Sequence, residues 1–396
     1  MMMTLISATK TAGKEAALLT QMQMSGKEKV SLYFHIPFCT KKCSYCHFYV
    51  LPDKEPLKQT LMEGFKLEWE SLKNHLADKE VETIYFGGGT PSLLAPSYIK
   101  EILSWIPFKK GIEITLEVNP ETASKELMQE YLQAGITRVS IGVQTFDNKL
   151  LKMLGRLHLA SKAKEAVFAA FDAGIENISI DLMYDLPEQT LAAWEETLKE
   201  TVLLPISHLS LYNLTIEPHT LFFKQKEAIE KLLPDEETSL KMYEMASDIL
   251  TEKLTQYEIS AFSKPGMHSH HNVGYWTGRS FFGLGPSAFS YYKNRRFQNI
   301  ANLKIYHQKL LKNESPVDFE EELEPIERRR ELLAINMRLM EGVDLKKFQE
   351  RHGTLDEETF KTVQKLQESG LIIKDPVLKL TKRGILLYDS VATDII

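Results

Sequence analysis

Between Ser31 and Asn213, short runs rich in β-branched and aromatic residues alternate with longer amphipathic segments. No other feature limits the fold so strongly. Ser31–Ile36, Val81–Phe86, Glu113–Val118, Arg138–Val143, Ile178–Tyr184 and His208–Asn213 read as strands. Helical periodicity lies between them, as in Pro56–Leu76, Ser124–Ala134, Lys162–Ala173 and Leu191–Leu203. Strand-then-helix repeats at this spacing imply an α/β fold, a parallel sheet with right-handed crossovers. Periodicity alone leaves an open doubly wound sheet and a barrel both standing.

In either form ligands collect at the carboxyl ends of the strands, and this chain concentrates unusual residues there. Gly87-Gly88-Gly89-Thr90-Pro91 follows the second strand, Glu117 and Asn119 end the third, Gln144 ends the fourth, and Asp181 lies in the fifth. After the first strand comes Cys39-Thr40-Lys41-Lys42-Cys43-Ser44-Tyr45-Cys46, which holds all three cysteines of the chain at a CxxxCxxC spacing. A disulfide framework wants an even number of cysteines, and a structural zinc site wants four ligands in two pairs. Three thiolates in one loop suit an iron–sulfur cluster, which normally takes four. One iron would then lack a protein ligand. A zinc ion completed by distant histidines, or three cysteines buried simply as small apolar groups, are the competing explanations. Glycines without Cβ admit a ligand close to the main chain. Glu117 can accept from an ammonium or hydroxyl, Gln144 and Asp181 suit ribose hydroxyls, and Arg156 can clamp a carboxylate.

The remainder of the chain adds a second, smaller unit. The 396 residues carry 48 basic and 54 acidic side chains, a net charge of −6, so there is no bulk attraction to nucleic acid. No apolar run is long enough for a transmembrane segment. The N-terminal stretch is a poor secretory signal, and clustered thiols point to a reducing, cytoplasmic setting. We expect a mobile extension at 1–28, a core at 29–255, an extension of it at 256–320 and a helical, winged-helix-like domain at 321–396. Pro234–Leu254 reads as a helix and Tyr257–Phe262 as a strand. Met267-His268-Ser269-His270-His271-Asn272-Val273-Gly274-Tyr275-Trp276 reads either as a polar surface turn, as an adventitious metal site at His268 and His270, or as a ligand-binding motif. Glu324–Met340, Leu345–His352 and Glu357–Glu368 read as helices, with a β pair at Leu371–Lys374 and Leu378–Leu380. Its mixed charge argues against a nucleic-acid reader.

With LYFHIPF before it, the CxxxCxxC loop resembles the radical S-adenosylmethionine (SAM) superfamily, specifically the branch of oxygen-independent coproporphyrinogen III oxidase and the HemW-type haem chaperones. LEVNP, SIGVQTFD, LGRLH and SIDLMYDLP are similar to that family's motifs, as is the loop Phe281–Ser290. The resemblance implies a partial (β/α)6 TIM-like barrel with a smaller C-terminal domain. It implies a [4Fe–4S] cluster on Cys39, Cys43 and Cys46, whose open iron is chelated by SAM. It further implies SAM contacts at Tyr33, Gly88, Gly89, Thr90, Glu117, Gln144, Arg156 and Asp181, with Tyr45 against the adenine and Thr215 as a further contact. HNxxYW resembles a haem-binding motif, which would make His271 an axial ligand candidate and place Asn272, Tyr275 and Trp276 beside it. The oxidase branch carries another cysteine where this chain has Phe48. The resemblance therefore favours a haem chaperone, with the radical decarboxylation of coproporphyrinogen as the alternative. Implied partners are haem, haem-accepting proteins, an electron donor such as flavodoxin or ferredoxin, and a second copy of the chain.

Overall fold

The computed structural model describes residues 26–396, so nearly all of the expected 1–28 extension lies outside the described residues. Six strands run parallel and side by side in chain order: β1 (Glu28–Ile36), β2 (Lys79–Gly88), β3 (Phe108–Val118), β4 (Arg138–Gln144), β5 (Asn177–Tyr184) and β6 (His208–Asn213). All six expected strands are present. Helices Glu55–Leu72, Lys125–Ala134, Ala160–Asp172 and Leu191–Val202 occupy the expected connections.

Residue alternation along these strands separates two chemically different faces. Val30, Leu32, Phe34 and Ile36 of β1 are fully buried, as are Ile84 and Phe86 of β2, Leu116 of β3, and Val139 and Ile141 of β4. Phe34 meets Phe65 of helix Glu55–Leu72 edge-on, with ring centroids 5.3 Å apart. Each such side chain removed from water contributes about 1.5–3 kcal/mol. The intervening positions are polar and bonded to one another. Thr83 donates to Ser31 Oγ at 2.9 Å, Tyr85 to Glu117 Oε1 at 2.9 Å, and Ser140 to Asp181 Oδ1 at 3.1 Å. The sheet thus holds a polar interior face that opens at the carboxyl ends.

Among the described residues the sheet continues on both sides to twelve strands. Beyond β6 lies an antiparallel hairpin, β7 (Thr255–Glu258) and β8 (Ala261–Ser263), with β8 on β6. The single strand expected at Tyr257–Phe262 is therefore two short ones. The reversal is fixed by the C-terminal unit: Ile259 N donates to Arg338 O at 3.1 Å, and Arg338 Nη2 donates to Glu258 Oε2 and Ser260 Oγ at 3.1 and 2.8 Å. Beyond β1 lie β9 (Ser280–Leu284), parallel to β1, then the antiparallel β10 (Phe289–Tyr292), β11 (Arg295–Asn299) and β12 (Val317–Glu322).

At the C-terminus, helices Pro325–Asn336, Leu345–His352 and Glu357–Glu368 precede a hairpin of Ile372–Lys374 and Leu378–Leu380. Two further helices, Lys382–Leu386 and Tyr388–Ile395, complete this unit around Leu333, Phe348, Val363, Leu378 and Val391. Among the described residues, no helix is long and apolar enough to cross a membrane.

Candidate functional site

The cysteine loop is tied down at every quarter. Phe38–Cys39 pairs in parallel with Leu51–Pro52, and Leu51 N donates to Pro37 O at 2.6 Å, closing the loop on itself. Ser44 N donates to Leu154 O and Ser44 O accepts from Phe222 N, both at 3.0 Å. Gly89 N and Thr90 N donate to Ile36 O and Phe38 O at 2.9 and 2.7 Å. A Cβ on Gly89 would lie 2.6 Å from Phe38 O and 3.0 Å from Cys39 Sγ, so only glycine allows this approach. Gly88, at φ 119°, sits equally close beneath the His35 ring.

The strand ends supply a connected set of polar groups around the thiols. Cys39 Sγ and Thr90 Oγ1 are 3.6 Å apart, Asn119 Nδ2 donates to Thr90 Oγ1 at 2.9 Å, and Arg156 Nη2 donates to Asn119 Oδ1 at 2.9 Å. Arg156 also donates from Nη1 to Cys43 Sγ at 3.6 Å and from Nη2 to Gly142 O at 2.7 Å. A Cβ on Gly142 would meet Gln144 Nε2 at 3.0 Å, Arg156 Nη2 at 3.2 Å and Asn119 Oδ1 at 3.5 Å, so two strand-end side chains and Arg156 converge over one glycine. Gln144 itself adopts a left-handed backbone, φ 68°, a strain of the kind that clusters at functional sites. Glu117 Oε2 accepts from Gly88 N at 3.0 Å. Burial lifts the Glu117 carboxyl to about 7, and burial raises Asp181 too. Tyr45 packs against the buried cluster that includes Leu150, Leu154 and Met183, and burial raises its phenol. Tyr33 bonds through its hydroxyl to His35 Nδ1 at 3.0 Å. Thr215 is exposed and joins none of these contacts.

The three thiols are soft donors of the kind an iron–sulfur cluster takes. Burial pushes Cys39 up to about 11, against a bond from Thr90, and the neighbouring Cys46 and Cys43 push the same way. Cys46 is likewise raised by burial, with Cys43 adding to it. Among the described residues no three His, Cys, Asp or Glu side chains, these thiols included, are grouped as the ligands of a single metal ion. An iron–sulfur cube holds its corner ligands farther apart than one zinc ion does, and its charge stabilises the thiolates.

Beside the loop lies a cavity of about 580 Å³. Tyr33, Phe48, Tyr49, Tyr275, Trp276 and Phe289 give it an aromatic wall. Two of these residues come from helix His270–Trp276, which replaces the surface turn considered above. Ser269 Oγ accepts from Asn272 N at 3.4 Å, and Glu113 of β3 accepts from His270 N and His271 N at 2.9 Å each. A distant carboxylate thus satisfies the helix start and complements its dipole.

His271 is 1% exposed, with Nδ1 bonded to Thr83 Oγ1 and Nε2 to Tyr275 OH, both at 2.8 Å. Burial, then Arg279 and Arg138, lower it to about 3, so it is neutral. Both nitrogens of His271 are engaged within the protein, one of them on Tyr275, and His271 forms no part of the cavity wall. Asn272 also stands off that wall. Trp276 lies on it, its Nε1 buried without a partner and Arg338 4.3 Å from the ring centroid. His268 stacks on Tyr257 at 4.2 Å. Sequence reasoning missed Arg279 and Arg328, which also face the cavity; neither belongs to a contiguous motif.

Residues 33–201 match the model of the radical SAM superfamily, and 323–387 that of the HemN C-terminal domain. The chain is 34% identical to the Heme chaperone HemW of Bacillus subtilis (strain 168), over 91% of this chain and 97% of that relative. It is 30% identical to the mitochondrial radical S-adenosyl methionine domain-containing protein 1 of Bos taurus, over 93% and 88%. The solved structure of coproporphyrinogen III oxidase (HemN) from Escherichia coli, itself a radical SAM enzyme, superposes with a TM-score of 0.82 over 96% of this chain and 93% of that one, at 22% identity. That last likeness speaks to the fold, the partial barrel with its C-terminal unit.

Proposed function

The chain belongs to the radical SAM superfamily, in its HemW-type branch, and from that premise we propose that it is a haem chaperone. It holds haem in the aromatic cavity and passes it to haem-requiring proteins in the cytoplasm, with SAM over an open [4Fe–4S] cluster. The observation that carries this reading is the shared wall: Phe48 and Tyr49, just past Cys46, line the cavity together with Tyr275 and Trp276. Aromatic faces lining a cavity suit a planar macrocycle.

Cys39, Cys43 and Cys46 hold the cluster, which when reduced supplies one-electron chemistry at a sulfonium. Arg156 receives the SAM carboxylate, and Gly88, Gly89, Thr90 and Glu117 surround its amino group. Gln144 and Asp181 take the ribose, Tyr45 and Tyr33 flank the nucleoside, and Thr215 stands at the outer edge. Residues 29–255 form the SAM-binding core, 256–320 extend it, and 321–396 close the cavity. A flavodoxin or ferredoxin serves as electron donor, and dimerisation accompanies loading or release. Phe48, standing where the oxidase branch has cysteine, argues against porphyrin decarboxylation.

One anaerobic sample tests both activities. Incubated with coproporphyrinogen III, SAM and a reductant, the reconstituted protein leaves the porphyrinogen unchanged. Titrated with haem, it binds about one equivalent, and Trp276→Ala weakens that binding about tenfold. Formation of protoporphyrinogen without haem binding would establish the oxidase instead.

A further inference from the structure

The cavity has a charged edge as well as an aromatic wall. Three arginines reach it, Arg279, Arg296 and Arg328. Arg296 is neutralised, since its Nη2 and Nη1 pair with Glu321 and Glu331 at 2.6 and 2.8 Å. The other two form no ion pair among the described residues. Arg279 Nη1 donates only to Ser31 Oγ, at 3.2 Å. Its guanidinium lies against Gly274, where a Cβ would come within 2.9 Å of Cζ, so a glycine in the HNVGYW helix makes room for it. The carboxylates that feel its charge are committed elsewhere: Glu82 to Lys29 at 2.9 Å, and Glu113 to the two amides at the helix start. Arg328 Nε donates to Tyr291 OH at 2.9 Å. Between the two arginines runs a row of rings, Tyr275 to Phe281 at 4.6 Å and Phe281 to Tyr291 at 6.3 Å.

A largely buried guanidinium with no carboxylate bonded to it is costly, and a ligand anion offsets that cost through charge-assisted, bidentate bonds. We propose that Arg279 and Arg328 are the carboxylate anchors of the cavity, and that its ligand is a tetrapyrrole bearing two free acid side chains. This deepens the haem reading and rests on it. Arg279 comes from the barrel side and Arg328 from the C-terminal helix Pro325–Asn336, so one ligand engages both units. Recognition is set by the acids at the ring's edge, while the aromatic wall accepts any flat macrocycle of the right size.

The test compares iron protoporphyrin IX with its dimethyl ester, in which a methyl group on each acid removes the two charges. Wild type binds the diacid more tightly by about tenfold or more. Arg279→Gln abolishes most of that preference by weakening the diacid and leaving the ester unchanged, and Arg328→Gln shifts it in the same direction. Thermal melting of both variants checks that they fold. Haem binding with the wild-type diacid-to-ester ratio in both variants overturns the anchor assignment and leaves the haem reading intact. Equal weakening of diacid and ester assigns the arginines a purely structural role and overturns it as well. A wild type that binds neither compound removes the haem reading and this inference together.

Discussion

At the scale of single residues, the site depends on atoms that must be absent as much as on atoms present. Gly89→Ala would drive a Cβ against the backbone at Phe38 and the sulfur of Cys39. We expect it to lose about 1–3 kcal/mol of stability and most of its iron after anaerobic reconstitution, measured by urea melts and iron assay. His271→Ala separates two explanations of HNxxYW. If His271 only positions Tyr275, the variant keeps the wild-type Soret maximum when haem is bound, although loss of a buried ring and two bonds costs about 2–4 kcal/mol. A shifted Soret band would restore it as an iron ligand. The cysteines and glycine triplet were legible because each lies in one contiguous stretch. The closure of His271's two nitrogens was not, since Thr83 lies 188 positions away in the chain.

At the scale of elements, the six parallel strands could be read because alternation and β-branched runs survive in each. Strands β9 to β12 could not. VDFEEE of β12 is an exposed, acidic edge, and β10 and β11 are only four and five residues of mixed character. Their pairing comes from neighbours rather than from local pattern. Helix His270–Trp276 was hidden for a related reason: its residues are weak helix formers, and its start is stabilised by Glu113 from β3. Glu113→Ala should therefore cost about 1–2 kcal/mol and loosen Tyr275 and Trp276, read as faster amide exchange confined to that helix. Unchanged exchange there would mean that the carboxylate contributes nothing to the helix. The cavity was equally illegible, because its wall draws on β1, the cysteine loop, this helix, β10, β11 and the C-terminal unit.

At the scale of the whole molecule, Glu68 joins the barrel to its sheet extension. Its carboxylate accepts from Tyr306 OH at 2.6 Å, Gly285 N at 2.8 Å and Asn299 Nδ2 at 2.6 Å. Burial raises its pKa from 4.5 to about 7 against those three donors. The folded form therefore binds the proton more tightly than the unfolded chain. This contribution is fully present below about pH 4.5 and is lost as pH rises through about 7, up to about 3 kcal/mol in all. Denaturant melts from pH 5 to 8 should show that decline in wild type, and Glu68→Gln should flatten it; an unchanged slope would mean that Glu68 ionises normally. At the mouth of the sheet, Cys39, Cys43 and Cys46 are proposed to hold a cluster with one iron open to SAM. Anaerobic reconstitution followed by iron and sulfide analysis and electron paramagnetic resonance with and without SAM tests it most directly. We expect about four irons and four sulfides per chain, with a reduced-cluster signal that changes when SAM is added. A single zinc, or a cluster signal indifferent to SAM, would contradict it.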